Sequence, residues 1–207
     1  MEDLLVSLQC FKFNPDIRAS DRKRLFNKIR SLSKELGKKG TFICRQYLST
    51  KHNSDFIIWN MSDSYSGLLT FKTNLMDMGR GYLDETYSYL SVYEHPNVSY
   101  LEQDPRLKYL VAYPVKKDPK WYLLGKEEQT RIMKEHISIA VNSKYNKNIR
   151  SYTTSSFSID DFEFLLLYEV DSITEWMKVA RELRRAKARK WIIVENPVFV
   201  GESAAAF

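Results

Sequence analysis

The chain is poor in the residues that build several common kinds of site. Among 207 residues there are two cysteines and three histidines. Cys10 and Cys44 form no CxxC pair and cannot supply a disulfide framework. Their apolar flanks fit buried free thiols in a reducing compartment. A zinc centre made wholly from protein needs several ligands, and neither His52 nor His95 lies near another cluster of metal-ligating residues. No stretch approaches the ~18 consecutive apolar residues of a membrane-spanning helix. The first residues, MEDLLVSLQC, lack the basic start and long apolar core of a signal peptide. These absences lead to the expectation of a cytoplasmic protein with no membrane partner.

What is present is a soluble-globular composition, 43% hydrophobic and 28% charged. Aromatic residues are abundant at 14%, with 13 Tyr and 11 Phe, which suits strands or a cofactor pocket. The net charge of +6 suits an anionic partner. The basic residues are scattered apart from RELRRAKARK at 181–190, which reads as a helix with a solvated face. No nucleic-acid motif accompanies it, and no nucleic-acid partner is expected.

Element order carries more information. DLLVSLQCFKF alternates like a strand, and SDRKRLFNKIRSLSKEL follows with a Ser or Asp cap and helical spacing. TFICRQYLS and SDFIIWNM are two strands, SDSYSGLLTFKTNLMDM is a helix and ETYSYLSVYE is a strand. The second half repeats the order. RLKYLVAYPV is followed by the helix GKEEQTRIMKEHISIAV, the strands IRSYTTSSFSI and DFEFLLLYEV, the helix DSITEWMKVARELRRAKA and the strand KWIIVENPVFV. Each half is a β-α-β-β-α-β, ferredoxin-like unit, and equivalent points lie about half a chain apart, as in a duplication. The expected organisation is a first half over 1–95, a linker over 96–106 and a second half over 107–207. Joining the two sheets into one α+β barrel hides more apolar surface than two independent domains.

In the helix over 127–140, Ile132, Met133, Ile139 and Ala140 lie three or four positions from His136, so the imidazole falls on the apolar stripe. A histidine satisfied by hydrogen bonds within the core is one reading. The other is a single axial ligand, which is enough when a macrocycle supplies four further nitrogens.

Residues 112–136, AYPVKKDPKWYLLGKEEQTRIMKEH, and residues 151–171, SYTTSSFSIDDFEFLLLYEVD, resemble the chlorite dismutase-like family, which includes the coproheme decarboxylases. The matching features are Tyr113, Pro114 and Lys117, the pair Trp121 and Tyr122, the EE and EH of the following helix, and DDFEF on a later strand. The resemblance is clear over 107–200 and weaker over the first half. It implies a dimeric α+β barrel, a haem cofactor (coproheme or haem b) and an axial bond from His136 to the iron. It further implies Tyr113 as a radical relay and Lys117 as the cation that positions a propionate. Trp121 and Tyr122 become candidate pocket walls. The implied activity is peroxide-dependent oxidative decarboxylation of coproheme to haem b. Haem binding without efficient catalysis and chlorite dismutation are the alternatives. The implied partners are a porphyrin and hydrogen peroxide, within a homo-oligomer, often a pentamer in this family.

The sequence departs from the family pattern in places. The distal position falls on Ser151 or, with a slip of one residue, on Arg150. Only one of the two can face the haem, because neighbours on a strand point to opposite sides. Ala188 stands about where chlorite dismutases carry a glutamate that supports the proximal histidine. Ile137 replaces a glycine common after that histidine, and the loop between Lys117 and Trp121 is short.

Overall fold

The computed structural model describes residues 2–204. The first half contains β1 (Leu4–Phe13), α1 (Ala19–Gly37), β2 (Phe42–Leu48), β3 (Phe56–Ser62), α2 (Tyr65–Met78) and β4 (Leu83–Tyr93). The second contains β5 (Tyr109–Lys117), α3 (Lys126–Asn142), β6 (Ile149–Ser155), β7 (Phe164–Val170), α4 (Ile173–Leu183), β8 (Ile192–Val194) and β9 (Phe199–Ser203). Short 3-10 turns occupy 98–100, 119–123 and 187–191.

All strand pairs are antiparallel, and their order is β7-β6-β4-β1-β3-β2-β9-β5-β8, with β7 also paired to β5. The β5–β7 ladder closes the sheet into a barrel, leaving the three-residue β8 as a spur beside the end of β5. Within the barrel, β4-β1-β3-β2 and β9-β5-β7-β6 are the same ferredoxin-like order written twice. The seams are β2 with β9 and β4 with β6, so each joins the last strand of one half to the second strand of the other. The fold is thus the α+β barrel of two ferredoxin-like halves expected from the repeat.

Period-two alternation decides what fills the barrel. Leu4, Val6, Leu8 and Cys10 of β1 point inward with Ile57, Trp59 and Met61 of β3, Leu110 and Ala112 of β5, and Leu165 and Leu167 of β7. One polar cluster interrupts this interior. Arg45 pairs with Glu169, whose carboxylate also accepts from the hydroxyls of Tyr47 (2.8 Å) and Tyr152 (2.7 Å). Arg45 donates further to the carbonyls of Tyr100 and Leu101 and lies over the Trp59 ring at 4.8 Å. The pair therefore ties β2 of one half to β7 of the other and to the linker.

Three local expectations differ from the structure. Helix α1 starts at Ala19 after Arg18, with no side-chain cap, and Asp21 sits in its first turn, where a carboxylate favours the helix dipole. The run at 181–190 is not one helix: α4 ends at Leu183, and the chain beyond it buries Ala186 and Ala188 at a 3-10 turn. The final strand is split into β8 and β9 around Pro197.

Replacing Glu169 by Leu leaves Arg45 buried without its carboxylate, and the expected cost is about 3–5 kcal/mol. Urea denaturation at neutral pH measures it. The double variant Arg45→Met, Glu169→Leu is expected to recover most of the loss, since a buried ion pair replaced by apolar groups of similar size is often neutral.

Candidate functional site

The two halves differ in how their helices meet the sheet. In the first half Phe11, Phe56 and Ile58 on the outer sheet face are fully buried under Leu25, Phe26 and Ile29 of α1 and Leu68, Phe71 and Leu75 of α2. In the second half the equivalent outer face carries Ser151 and Thr153 exposed and Leu166 and Tyr168 half-buried. Helix α3 buries only Ile132, and Ile137 is 54% exposed. Helix α4 covers part of this face, packing Trp176 and Val179 with Val111 and Tyr168, but on the α3 side the space that phenylalanines fill in the first half is left open.

Helix α3 is held at its start rather than along its length. Gln129 Nε2 donates to the carbonyls of Trp121 (3.0 Å) and Leu124 (3.1 Å), and Ile132 packs with Trp121 and Ala188. Met133, Leu124 and Trp191 complete that cluster. His136 follows Ile132 by one helical turn and is half-buried. Its Nδ1 is buried without a hydrogen-bond partner among the described residues. The core-histidine reading required such partners, so this imidazole is not held in place by a polar network of its own. Ala188 is buried nearby and offers no carboxylate. Burial first, then the positive charges of Arg189 and Lys117, push the His136 pKa below its usual value.

Lys117 closes β5. Its backbone N–H donates to Glu163 at 2.6 Å, while its ammonium lies over Trp121 at 4.0 Å and over Phe164 at 5.2 Å. Burial lowers its pKa, and the nearby Glu163 opposes that shift. No carboxylate forms an ion pair with it among the described residues. Two ring faces hold a cation in place with its charge still available to an anion. The DDFEF stretch acquires a structural meaning here: Asp160 accepts the backbone N–H of Leu90 at 2.8 Å next to the β4–β6 seam, and Glu163 and Phe164 position Lys117.

Tyr113 projects from the outer face of β5, half-buried and stacked on Tyr168 with ring centroids 5.9 Å apart. Burial raises its pKa strongly, with Tyr168 adding to the effect and the Arg189 charge opposing it. Arg189 thus neighbours both Tyr113 and His136 electrostatically. It is fixed by a two-point pair with Glu195 (2.6 and 2.9 Å), and Arg184 reaches the same carboxylate at 3.1 Å. Neither Arg189 nor Glu195 was singled out from sequence. The basic run hid the first, and their pairing across Trp191–Val194 has no sequence signature.

The structure groups Tyr113, Lys117, His136 and Arg189, and gives the remaining candidates different settings. Trp121 is buried against Trp191 as well as under Lys117. Tyr122 is 41% exposed and packed edge-on to Phe157, with the Glu163 carboxylate adding to burial in raising its pKa. Arg150 turns to the linker, donating to the carbonyl of Glu102 at 2.6 Å and lying over the Tyr100 ring. Ser151 lies on the other face and interacts with the Tyr168 hydroxyl.

Among the described residues no cluster of three His, Cys, Asp or Glu side chains could hold a metal ion, and no helix is long and apolar enough to cross a membrane. A metal at His136 would need most of its ligands from outside the chain. The unpartnered imidazole, the bare sheet face and the unpaired Lys117 fit a flat, anionic macrocycle that brings its own nitrogens.

Fold and site together define an α+β barrel with one sheet–helix face partly open beside an unpartnered histidine. Comparison with known proteins agrees. The family model for chlorite dismutase matches residues 22–204. A coproheme decarboxylase from Mycolicibacterium smegmatis is 24% identical over 202 residues, covering 92% of this chain and 86% of that protein. The crystal structure of TA0507, described as a candidate chlorite dismutase, superposes with a TM-score of 0.90 at 34% identity, covering 100% of this chain and 96% of that one. A protein from Thermus thermophilus described as heme-binding gives a TM-score of 0.83 at 20% identity, covering 98% and 92%. The chain belongs to the chlorite dismutase family.

Because the folded-state pKa of His136 is depressed, its neutral form carries stability that is present above the unfolded value of 6.5 and is lost as pH falls toward the folded value. Imidazole NMR titration of the protein without porphyrin should place its midpoint below 6.5. Arg189→Gln should move that midpoint up.

Proposed function

We propose that the protein is a haem-dependent oxidoreductase that decarboxylates coproheme to haem b with hydrogen peroxide. The observation that carries the reading is the grouping of an unpartnered imidazole, an unpaired ammonium and a half-buried phenol beside the open α3 side of the second-half sheet. Kinship with a coproheme decarboxylase along nearly the whole chain points the same way.

The roles follow from the chemistry of each group. His136 Nε2 offers a neutral donor to the iron, and the depressed pKa keeps it unprotonated at neutral pH. Without a carboxylate on Nδ1 the imidazole is a weaker donor than in a site with such support. Lys117 holds the reacting propionate through a charge-assisted hydrogen bond. Tyr113, kept protonated by burial, gives up an electron and its proton as a unit and then draws a hydrogen atom from the propionate side chain. Bound haem would supply the two-electron oxidising power of peroxide: with one hydrogen atom lost to Tyr113 and one further electron lost to the oxidised cofactor, the propionate would become carbon dioxide and a vinyl group. Ser151, exposed on the outer sheet face, would line the porphyrin pocket, and Trp121 would act through Lys117.

Chlorite dismutation is the less favoured activity. A distal cation is needed to hold the oxyanion, and Arg150 is committed to the linker. Haem binding without efficient turnover remains the second reading, favoured by the unsupported Nδ1 and by Ile137 at the porphyrin edge. The wider setting proposed is a cytoplasmic homo-oligomer, with a pentamer as the first form to test.

Titrating the purified protein with coproheme should give a Soret band, and peroxide should then remove two carboxyl groups stepwise, as read by mass spectrometry. His136→Ala should lose the band. Tyr113→Phe should keep it and lower decarboxylation by on the order of 10²-fold or more, comparable to the loss of a positioned catalytic group. A Soret band with no decarboxylated product in the unaltered protein would select the binding-only reading.

A further inference from the structure

Tyr113 does not stand alone on its sheet face. In the β5–β7 ladder Tyr168 pairs with Val111 while Tyr113 pairs with Leu166, so the two tyrosines are diagonal neighbours projecting from the same side. Their rings stack at 5.9 Å with 28° between planes. The two hydroxyls interact electrostatically, and Ser151, directly opposite Tyr168 in the β6–β7 ladder, interacts with the Tyr168 hydroxyl as well. On its other side Tyr168 meets the indole of Trp176 with centroids 4.1 Å apart. Trp176 is buried, so this series of oxidisable rings runs from the site into the second-half core.

We propose that Tyr168 is a second redox-active phenol that exchanges a hydrogen atom with Tyr113. The proposal rests on the reading of Tyr113 as the relay, with peroxide as the oxidant. Once Tyr113 has lost its hydroxyl hydrogen, the O–H bond of Tyr168 breaks and an O–H bond forms on Tyr113. One electron and one proton move together, so Tyr113 is reduced to the phenol and Tyr168 becomes the phenoxyl. Donor and acceptor are the same chemical group, so the balance is set only by their surroundings and the exchange runs in both directions. Tyr168 then stores the oxidising equivalent away from the open face, against Trp176, and returns it when a propionate is held by Lys117. Ser151, opposite Tyr168 on the neighbouring strand, orients that phenol rather than acting on the substrate.

Two experiments test this. In the porphyrin-free protein, one-electron oxidation with a ruthenium tris-bipyridyl photosensitiser and persulfate should couple the two phenoxyls, forming one carbon–carbon bond with loss of two hydrogen atoms. Peptide mapping should find the Tyr113–Tyr168 link, and Tyr168→Phe should abolish it. In the coproheme-loaded protein, freeze-quenched paramagnetic resonance after peroxide should show a tyrosyl signal of two components. Tyr168→Phe should reduce it to one component and shorten its lifetime several-fold. No Tyr113–Tyr168 link in the first experiment, or an unchanged line shape and lifetime in the second, overturns the proposal. If coproheme does not bind, the proposed function fails while the first experiment still decides this inference.

Discussion

Closure of the barrel is the constraint on which the rest of the molecule depends. Each half supplies four strands with apolar residues on both faces, and an open sheet of that kind would leave one face in water. Joining β2 to β9 and β4 to β6 turns the two inner faces into a single interior. The seams themselves are short, with two paired positions at one and one at the other. Cohesion across them therefore falls to the interior side chains, including the Arg45–Glu169 pair. Such a pair contributes little net energy against an apolar replacement, but breaking it is costly, so it penalises any arrangement of the halves that separates the two charges.

A filled interior pushes chemistry to the outside. Among the described residues, the place left for a large flat ligand is between a sheet and its covering helices, and the duplicated fold offers two such places. The first is occupied by Phe11, Phe26, Phe56 and Phe71. The second has small or polar residues on the sheet, Ser151 and Thr153, and a helix secured mainly at its N-terminal end. Divergence between two copies of one unit thus fills one sheet–helix space and leaves the other partly open. Burial, and then the charges of Lys117 and Arg189, lower the pKa of the His136 imidazole there.

Legibility in the sequence followed the range of the interactions involved. His136 was identifiable because Ile132 and Ala140 lie one turn away on the same helix, and helical geometry turns that spacing into a direction. Tyr113 and Lys117 were found through resemblance, since a tyrosine before a proline and a lysine beside Lys116 carry no local signal. The strand period showed that Arg150 and Ser151 face opposite ways, but not which way. That choice depends on Glu102 and Tyr100, some fifty residues earlier in the chain. Arg189 was lost within a basic run whose solvated appearance hides a two-point pair with Glu195.

The sequence by itself determined the element order up to α4, its duplication and the place of the histidine on an apolar stripe. Each of these rests on contacts between residues three or four apart, or on the alternation of a strand. Closure of the barrel, the unequal filling of the two sheet–helix spaces and the grouping of Tyr113, Tyr168, Lys117, His136 and Arg189 were decided only by the tertiary structure. They depend on which distant strands pair and how far each helix stands from its sheet, and no local periodicity encodes those distances.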